Sequence, residues 1–131
     1  MPHVLLADND GAVSALLAEV LTRAGLVVEH AYDGEQAKAK VRAPGWGVLV
    51  CDLDMPRASG IEVLESMRDL PVVPPAIVIS GYLDESISRR LGRLPWVRDV
   101  LKKPFDLMEF VRRVQELVAS GAPAAATTCV F

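Results

Sequence analysis

The run Val48-Leu49-Val50-Cys51 constrains this chain more than any other stretch. Four consecutive apolar residues without alternation demand burial on both faces, the condition of a central strand in a parallel sheet. The chain then changes character at once, to Asp52-Leu53-Asp54-Met55-Pro56. Asp52 is therefore an acid at the carboxyl end of a buried strand. Pro56 stops regular continuation, and Gly60 supplies a turn or a close approach. In open α/β sheets, chemistry gathers at the carboxyl ends of the strands. The other strands are best read for what they end in.

Val4 to Ala7 reads as a short buried strand ending in Asp8-Asn9-Asp10. A helix follows Gly11, with Val13, Leu16, Leu17, Val20 and Leu21 on one stripe. Asn9 or Asp10 caps its start, and Gly25 ends it. Leu26 to His30 is a more polar strand, at an edge. Asp33 and Gln36 have capping-box spacing for a helix through about Arg42, broken by Pro44-Gly45. After the central strand, Ser59 and Glu62 repeat that spacing before Ile61, Leu64 and Met67. Ala76 to Ile79 is a buried strand ending in Ser80-Gly81. Asp84 begins a short helix with Ile87 and Leu91 inward and Arg89 and Arg90 outward. Val97 to Lys102 is a weaker strand running into Lys103-Pro104. Asp106 and Glu109 open a last helix with Leu107, Phe110, Val111, Val114, Leu117 and Val118 on its stripe, closed by Gly121. Residues 1–120 thus form one domain, and 121–131, small and apolar without period, a flexible tail. Alternating strands and helices with short loops predict a doubly wound five-stranded parallel sheet with helices on both faces.

A chain of 131 residues, 51% hydrophobic and 24% charged, suits one domain with a real core. Its net charge of −3 argues against direct nucleic-acid binding, which wants a basic face. No apolar run is long enough to span a bilayer, and no signal peptide is visible. Cys51 in a strand and Cys129 in the tail do not make a disulfide framework and suit a reducing cytoplasm.

The polar strand ends form a set: Asp8-Asn9-Asp10, Asp52, Ser80 and Lys103. In the order 2-1-3-4-5, the first and third strands are neighbours at the switch point. Asp8, Asn9 and Asp52 then face one another, with Ser80 and Lys103 beyond Asp52. Carboxylates and an amide oxygen suit Mg²⁺, which prefers oxygen ligands and keeps several waters. A lysine and a hydroxyl suit phosphoryl oxygens, and a carboxylate can be the nucleophile that becomes an aspartyl phosphate. Alone, Asp8 or Asp10 reads as a helix cap and Ser80 as a turn residue. Lys103 stands beside Lys102, and the position before Pro104 singles it out. Together and in this order the motifs are specific.

From Val4 to Ala119 the chain resembles a response-regulator receiver domain of two-component signalling, a flavodoxin-like fold. The resemblance rests on Leu6-Ala7-Asp8-Asn9-Asp10, on Asp52-Leu53-Asp54-Met55-Pro56 with Gly60, on Ile79-Ser80-Gly81 and on Lys102-Lys103-Pro104-Phe105. It implies that Asp52 accepts phosphate from a histidine kinase or phosphotransfer protein, and that Ser80 and Lys103 bind the phosphoryl group. It implies Mg²⁺ among Asp8, Asn9, Asp52 and the backbone carbonyl of Asp54, and a cis peptide at Lys103-Pro104. It further implies a downstream protein target and allows a homodimer through the last helix and strand. Such a domain is a phospho-acceptor, not a turnover enzyme.

Two positions depart from the family's pattern. Asn9 replaces an acid that ligates the metal, so Mg²⁺ binding is expected to be weaker, with Asp54 restoring an acid nearby. Val100 replaces a common aromatic three residues before the lysine, so the usual coupling of Ser80 to the face of the fourth helix, fifth strand and fifth helix is expected to be read differently or only weakly. Both lend weight to a rival, a degenerate receiver that binds a partner without phosphorylation. A haloacid-dehalogenase-type phosphatase would explain Asp52-Leu53-Asp54, but not the acids at 8–10, and no acidic pair follows a later strand. No Gly-x-Gly-x-x-Gly follows the first strand, which argues against a dinucleotide site.

Overall fold

The computed structural model describes residues 3–55 and 59–120. Five strands alternate with helices: β1 (His3–Ala7), α1 (Gly11–Arg23), β2 (Val27–Ala31), α2 (Gly34–Lys40), β3 (Trp46–Asp52), α3 (Gly60–Ser66), β4 (Ala76–Ser80), α4 (Glu85–Gly92), β5 (Val97–Lys102) and α5 (Leu107–Ser120). The sheet order is β2-β1-β3-β4-β5, and every pairing is parallel. The expected doubly wound sheet is therefore present. Pro56, the helix stop at Gly121, and the tail over 121–131 with Cys129 lie outside the described residues.

The unalternating strands explain themselves in the packing. Leu5, Ala7, Leu49, Cys51, Ala76 and Val78 face the core under α2, α3 and α4. Val4, Leu6, Val48, Val50, Ile77 and Ile79 face the core under α1 and α5, closed by Phe110 and Val114. Each central strand thus feeds two hydrophobic layers with alternate residues, and a polar side chain fits only where the strand ends.

The caps follow the sequence signals. Asp33 accepts from the Gln36 N–H, Ser59 from Glu62 and Asp84 from Ile87. Asp106 accepts from Met108 and Glu109. At the first helix the alternatives resolve to Asp10, whose carboxylate accepts from Ala12 and Val13. Gly25 closes α1 at φ 92°, a left-handed conformation that favours glycine.

Four local expectations need correction. Leu16 is half-exposed, and the buried stripe of α1 is Ser14, Leu17 and Leu21. Ser14 tolerates burial because its hydroxyl pairs with His30 Nδ1 at 2.8 Å, so His30 also has a structural partner. The second strand starts one residue later than expected, at Val27, and α2 stops at Lys40. Arg90 does not simply face solvent: it forms a two-point contact with Glu65 of α3, at 2.7 and 3.2 Å. Arg113 likewise ties α5 to Asp99 of β5.

Candidate functional site

β1 and β3 end side by side, Ala7 pairing with Cys51, so Asp8 and Asp52 emerge together at the rim. Both are almost wholly buried, 1% and 2% exposed. Buried carboxylates need partners. Asp52 has them: Lys103 Nζ lies 2.7 Å from Oδ2, and the Asp54 N–H donates to Oδ1 at 2.8 Å. Lys103 reaches it because β4 pairs with both β3 and β5 and the Lys103 N–H is tied to the Ser80 carbonyl at 2.8 Å. The Lys103-Pro104 peptide is cis, as expected.

Asp8 is less well provided. Its Oδ1 accepts from the Asp10 N–H at 2.8 Å, while its buried Oδ2 has no hydrogen-bond partner among the described residues. Burial raises its pKa, the neighbouring Asp52 charge adds to that, and the Asp10 N–H and Lys103 only partly offset them. Burial alone would lower the pKa of Lys103. The hydrogen bond and charge of Asp52, with Asp8 and Asp54 behind, outweigh it and leave the pKa raised. The ammonium is thereby held charged at the rim.

Gly60 answers to close approach. A Cβ there would stand 2.4 Å from the Asp52 carbonyl oxygen and 2.6 Å from Leu53 Cα. The start of α3 therefore packs directly on the backbone of the acid-bearing loop, and the Gly60 N–H donates to the Leu53 carbonyl.

Of the expected site residues, Asp8, Asp52 and Lys103 converge. Asn9 and Asp54 are exposed on the flanking loops. Among the described residues, no three His, Cys, Asp or Glu side chains converge as metal ligands. Two carboxylates do meet, one with an unsatisfied buried oxygen. This fits Mg²⁺, which is commonly held by one or two carboxylates and several waters. Asp8, Asp52, the Asn9 amide and the Asp54 carbonyl would hold it, and the ion would supply positive charge for phosphoryl oxygens.

Ser80 is buried at the same rim, but its hydroxyl is turned to its own loop. It donates to the Tyr82 carbonyl at 2.6 Å and accepts from the Tyr82 N–H at 3.1 Å. Read alone, Ser80 is a turn residue, and that turn is what the structure shows; the set of strand ends points its hydroxyl at the phosphoryl site instead. The signal was Ser80 two residues before an exposed loop position, where a serine hydroxyl competes for backbone groups. No helix among the described residues is long and apolar enough to cross a membrane.

Comparison with known proteins bears on the domain as a whole. The model of the response regulator receiver domain family matches residues 4–115. The chain is 35% identical over 116 residues to the transcriptional regulatory protein TrcR of Mycobacterium tuberculosis, covering 88% of this chain and 45% of that protein. It spans about half the length of the curated relatives it matches. The receiver domain of the Francisella response regulator 1452 superposes with a TM-score of 0.83 at 27% identity, over 92% of this chain and 99% of that one. The response regulator TrrA of Thermotoga maritima, solved with Mg²⁺-BeF, has the same fold, with a TM-score of 0.78 at 24% identity over 89% of this chain and 98% of that one. With the family model matching residues 4–115, the strand order in agreement and a relative at 35% identity, the chain belongs to the response regulator receiver domains of two-component signalling.

Proposed function

We propose that Asp52 is the phospho-acceptor, and that the domain switches partner binding when it is phosphorylated. The observation that carries this is the buried Asp52 carboxylate with the Lys103 ammonium 2.7 Å from one oxygen. A carboxylate oxygen of Asp52 attacks phosphorus as the bond to the donor, a histidine imidazole of a kinase or phosphotransfer protein, breaks. Lys103 balances charge on the phosphoryl oxygens, and the Asp54 N–H keeps the carboxylate oriented. The phosphoryl group stays on the chain, so this is an acceptor and not a turnover enzyme. The Mg²⁺-BeF complex of TrrA is in keeping with a metal-assisted site of this kind.

Asn9 sets the strength of that metal site. A unit charge at ~4 Å is worth about 4 kcal/mol at an effective dielectric of ~20, and hydration and relieved carboxylate repulsion offset much of it. Mg²⁺ binding is weakened and not abolished, and the exposed carboxylate of Asp54 restores some negative charge. Mg²⁺ titrated by isothermal calorimetry is expected to bind Asn9→Asp more tightly than wild type; equal affinities reject this account.

The setting is cytoplasmic, and the output is a protein target; net charge of −3 speaks against nucleic acid as a ligand of this segment. Acetyl phosphate with Mg²⁺, followed by intact mass, tests the acceptor role. The mass rises by one phosphoryl group in wild type and not in Asp52→Asn. No rise in wild type favours the phosphorylation-independent binding module, and steady hydrolysis of a generic phosphate ester favours a phosphatase.

A further inference from the structure

The loop from Ser80 to Asp84 joins the phosphoryl-binding rim to the start of α4. Its first bonds are those of Ser80 to the backbone of Tyr82, one donated and one accepted. A serine hydroxyl carries a single proton. It cannot give that proton both to the Tyr82 carbonyl and to a phosphoryl oxygen on Asp52. Phosphoryl binding by Ser80 therefore requires the bond to Tyr82 to break. The far end of the loop is fixed, since Asp84 caps α4 through the Ile87 N–H at 2.7 Å. Release is confined to the residues between.

What is released is a ring. Tyr82 is 69% exposed, an open position for so large an apolar surface. One residue further, Leu83 walls an apolar groove of about 320 Å³ between α4 and β5, with Leu91, Val97 and Val100 among the other lining residues. Val100 is exposed there, and its small side chain leaves the groove open. The ring is thus tethered one residue from a space that would bury it.

We propose that Tyr82 is a latched plug for the α4–β5 groove. While Ser80 holds the Tyr82 backbone, the ring stands in solvent. When the Ser80 hydroxyl turns to a phosphoryl group on Asp52, the loop is freed and the ring packs against Leu91 and Val100. The face of α4 and β5 then changes from a groove to a filled surface, which a partner can distinguish. The trigger rests on the acceptor role of Asp52, but the latch itself does not.

The test uses protein labelled with 3-fluorotyrosine; of its two tyrosines, Tyr32→Phe assigns the Tyr82 fluorine resonance. Exposure is read as broadening by a soluble gadolinium chelate. Beryllofluoride with Mg²⁺ should reduce broadening of Tyr82 several-fold and leave Tyr32 unchanged. Ser80→Ala should do the same without beryllofluoride. Val100→Tyr, which fills the groove, should keep Tyr82 exposed in the presence of beryllofluoride. Undiminished broadening in Ser80→Ala, or in wild type showing bound-fluoride resonances, overturns the latch. Absence of bound fluoride overturns the acceptor role of Asp52 instead, and Ser80→Ala still decides the latch.

Discussion

At the scale of single residues, Asp8 stands out because it stays buried beside Asp52 with one oxygen unsatisfied. A buried polar atom without a partner costs ~1–3 kcal/mol. Asp8→Asn removes the charge and gives the Asp52 carboxylate a donor in place of a repelling oxygen. Without Mg²⁺ its melting temperature is expected to rise by about 4 °C or more, the shift that ~1 kcal/mol brings in a domain of roughly this size. With Mg²⁺ the order should reverse or narrow, because wild type gains more from the ion than the variant does. Scanning calorimetry of both proteins with and without Mg²⁺ checks this, and an unchanged or lower melting temperature in the metal-free variant refutes it. Asp8, Asp52 and Lys103 were legible in the sequence because each follows a strand too apolar to lie anywhere but the centre. The direction of the Ser80 hydroxyl was not, since a rotor with one proton follows the local loop and not the strand pattern.

At the scale of elements, strand ends and helix caps were legible because they depend on neighbours in the chain. The contact between α3 and α4 was not, because it joins residues 25 apart and depends on how two helices lie on the sheet. Leu16 failed for a related reason: several apolar positions of α1 compete for one sheet-facing stripe, and packing selects among them. The Glu65–Arg90 contact carries a pH dependence. The Arg90 hydrogen bond, against a smaller burial effect and helped by the Arg90 charge, lowers the pKa of Glu65. A carboxylate with a depressed folded pKa adds stability above its unfolded pKa, about 4.3, and loses it as pH falls through the folded value. Both side chains are a third or more exposed, 42% and 35%, so solvent screening limits the contribution. Arg90→Ala should lower stability slightly but measurably at pH 7. In urea titrations the gap from wild type should close as pH drops below the glutamate range. A gap that persists in acid would mean that Arg90 acts through packing of its alkyl chain and not through charge.

At the scale of the molecule, the site depends on a sheet that is buried on both faces. β1, β3 and β4 send alternate residues into two layers, so neither layer can dissolve while the other keeps its strands in place. The domain should therefore unfold in one step. Both tryptophans, Trp46 and Trp96, pack with the layer under α2, α3 and α4; the indole N–H of Trp96 donates to the Leu64 carbonyl at 3.0 Å. Their fluorescence reports that layer alone. Phe110 is wholly buried in the opposite layer, under α1 and α5. Phe110→Ala should cost ~3–5 kcal/mol, the range for truncating a buried aromatic ring. Although no tryptophan touches that layer's core, the fluorescence midpoint in urea should fall as far as the far-ultraviolet circular dichroism midpoint. If circular dichroism moved and the tryptophan transition stayed at its wild-type midpoint, the two layers would be separable. The rim that joins Asp8, Asp52 and Lys103 would then rest on one layer and not on the whole sheet.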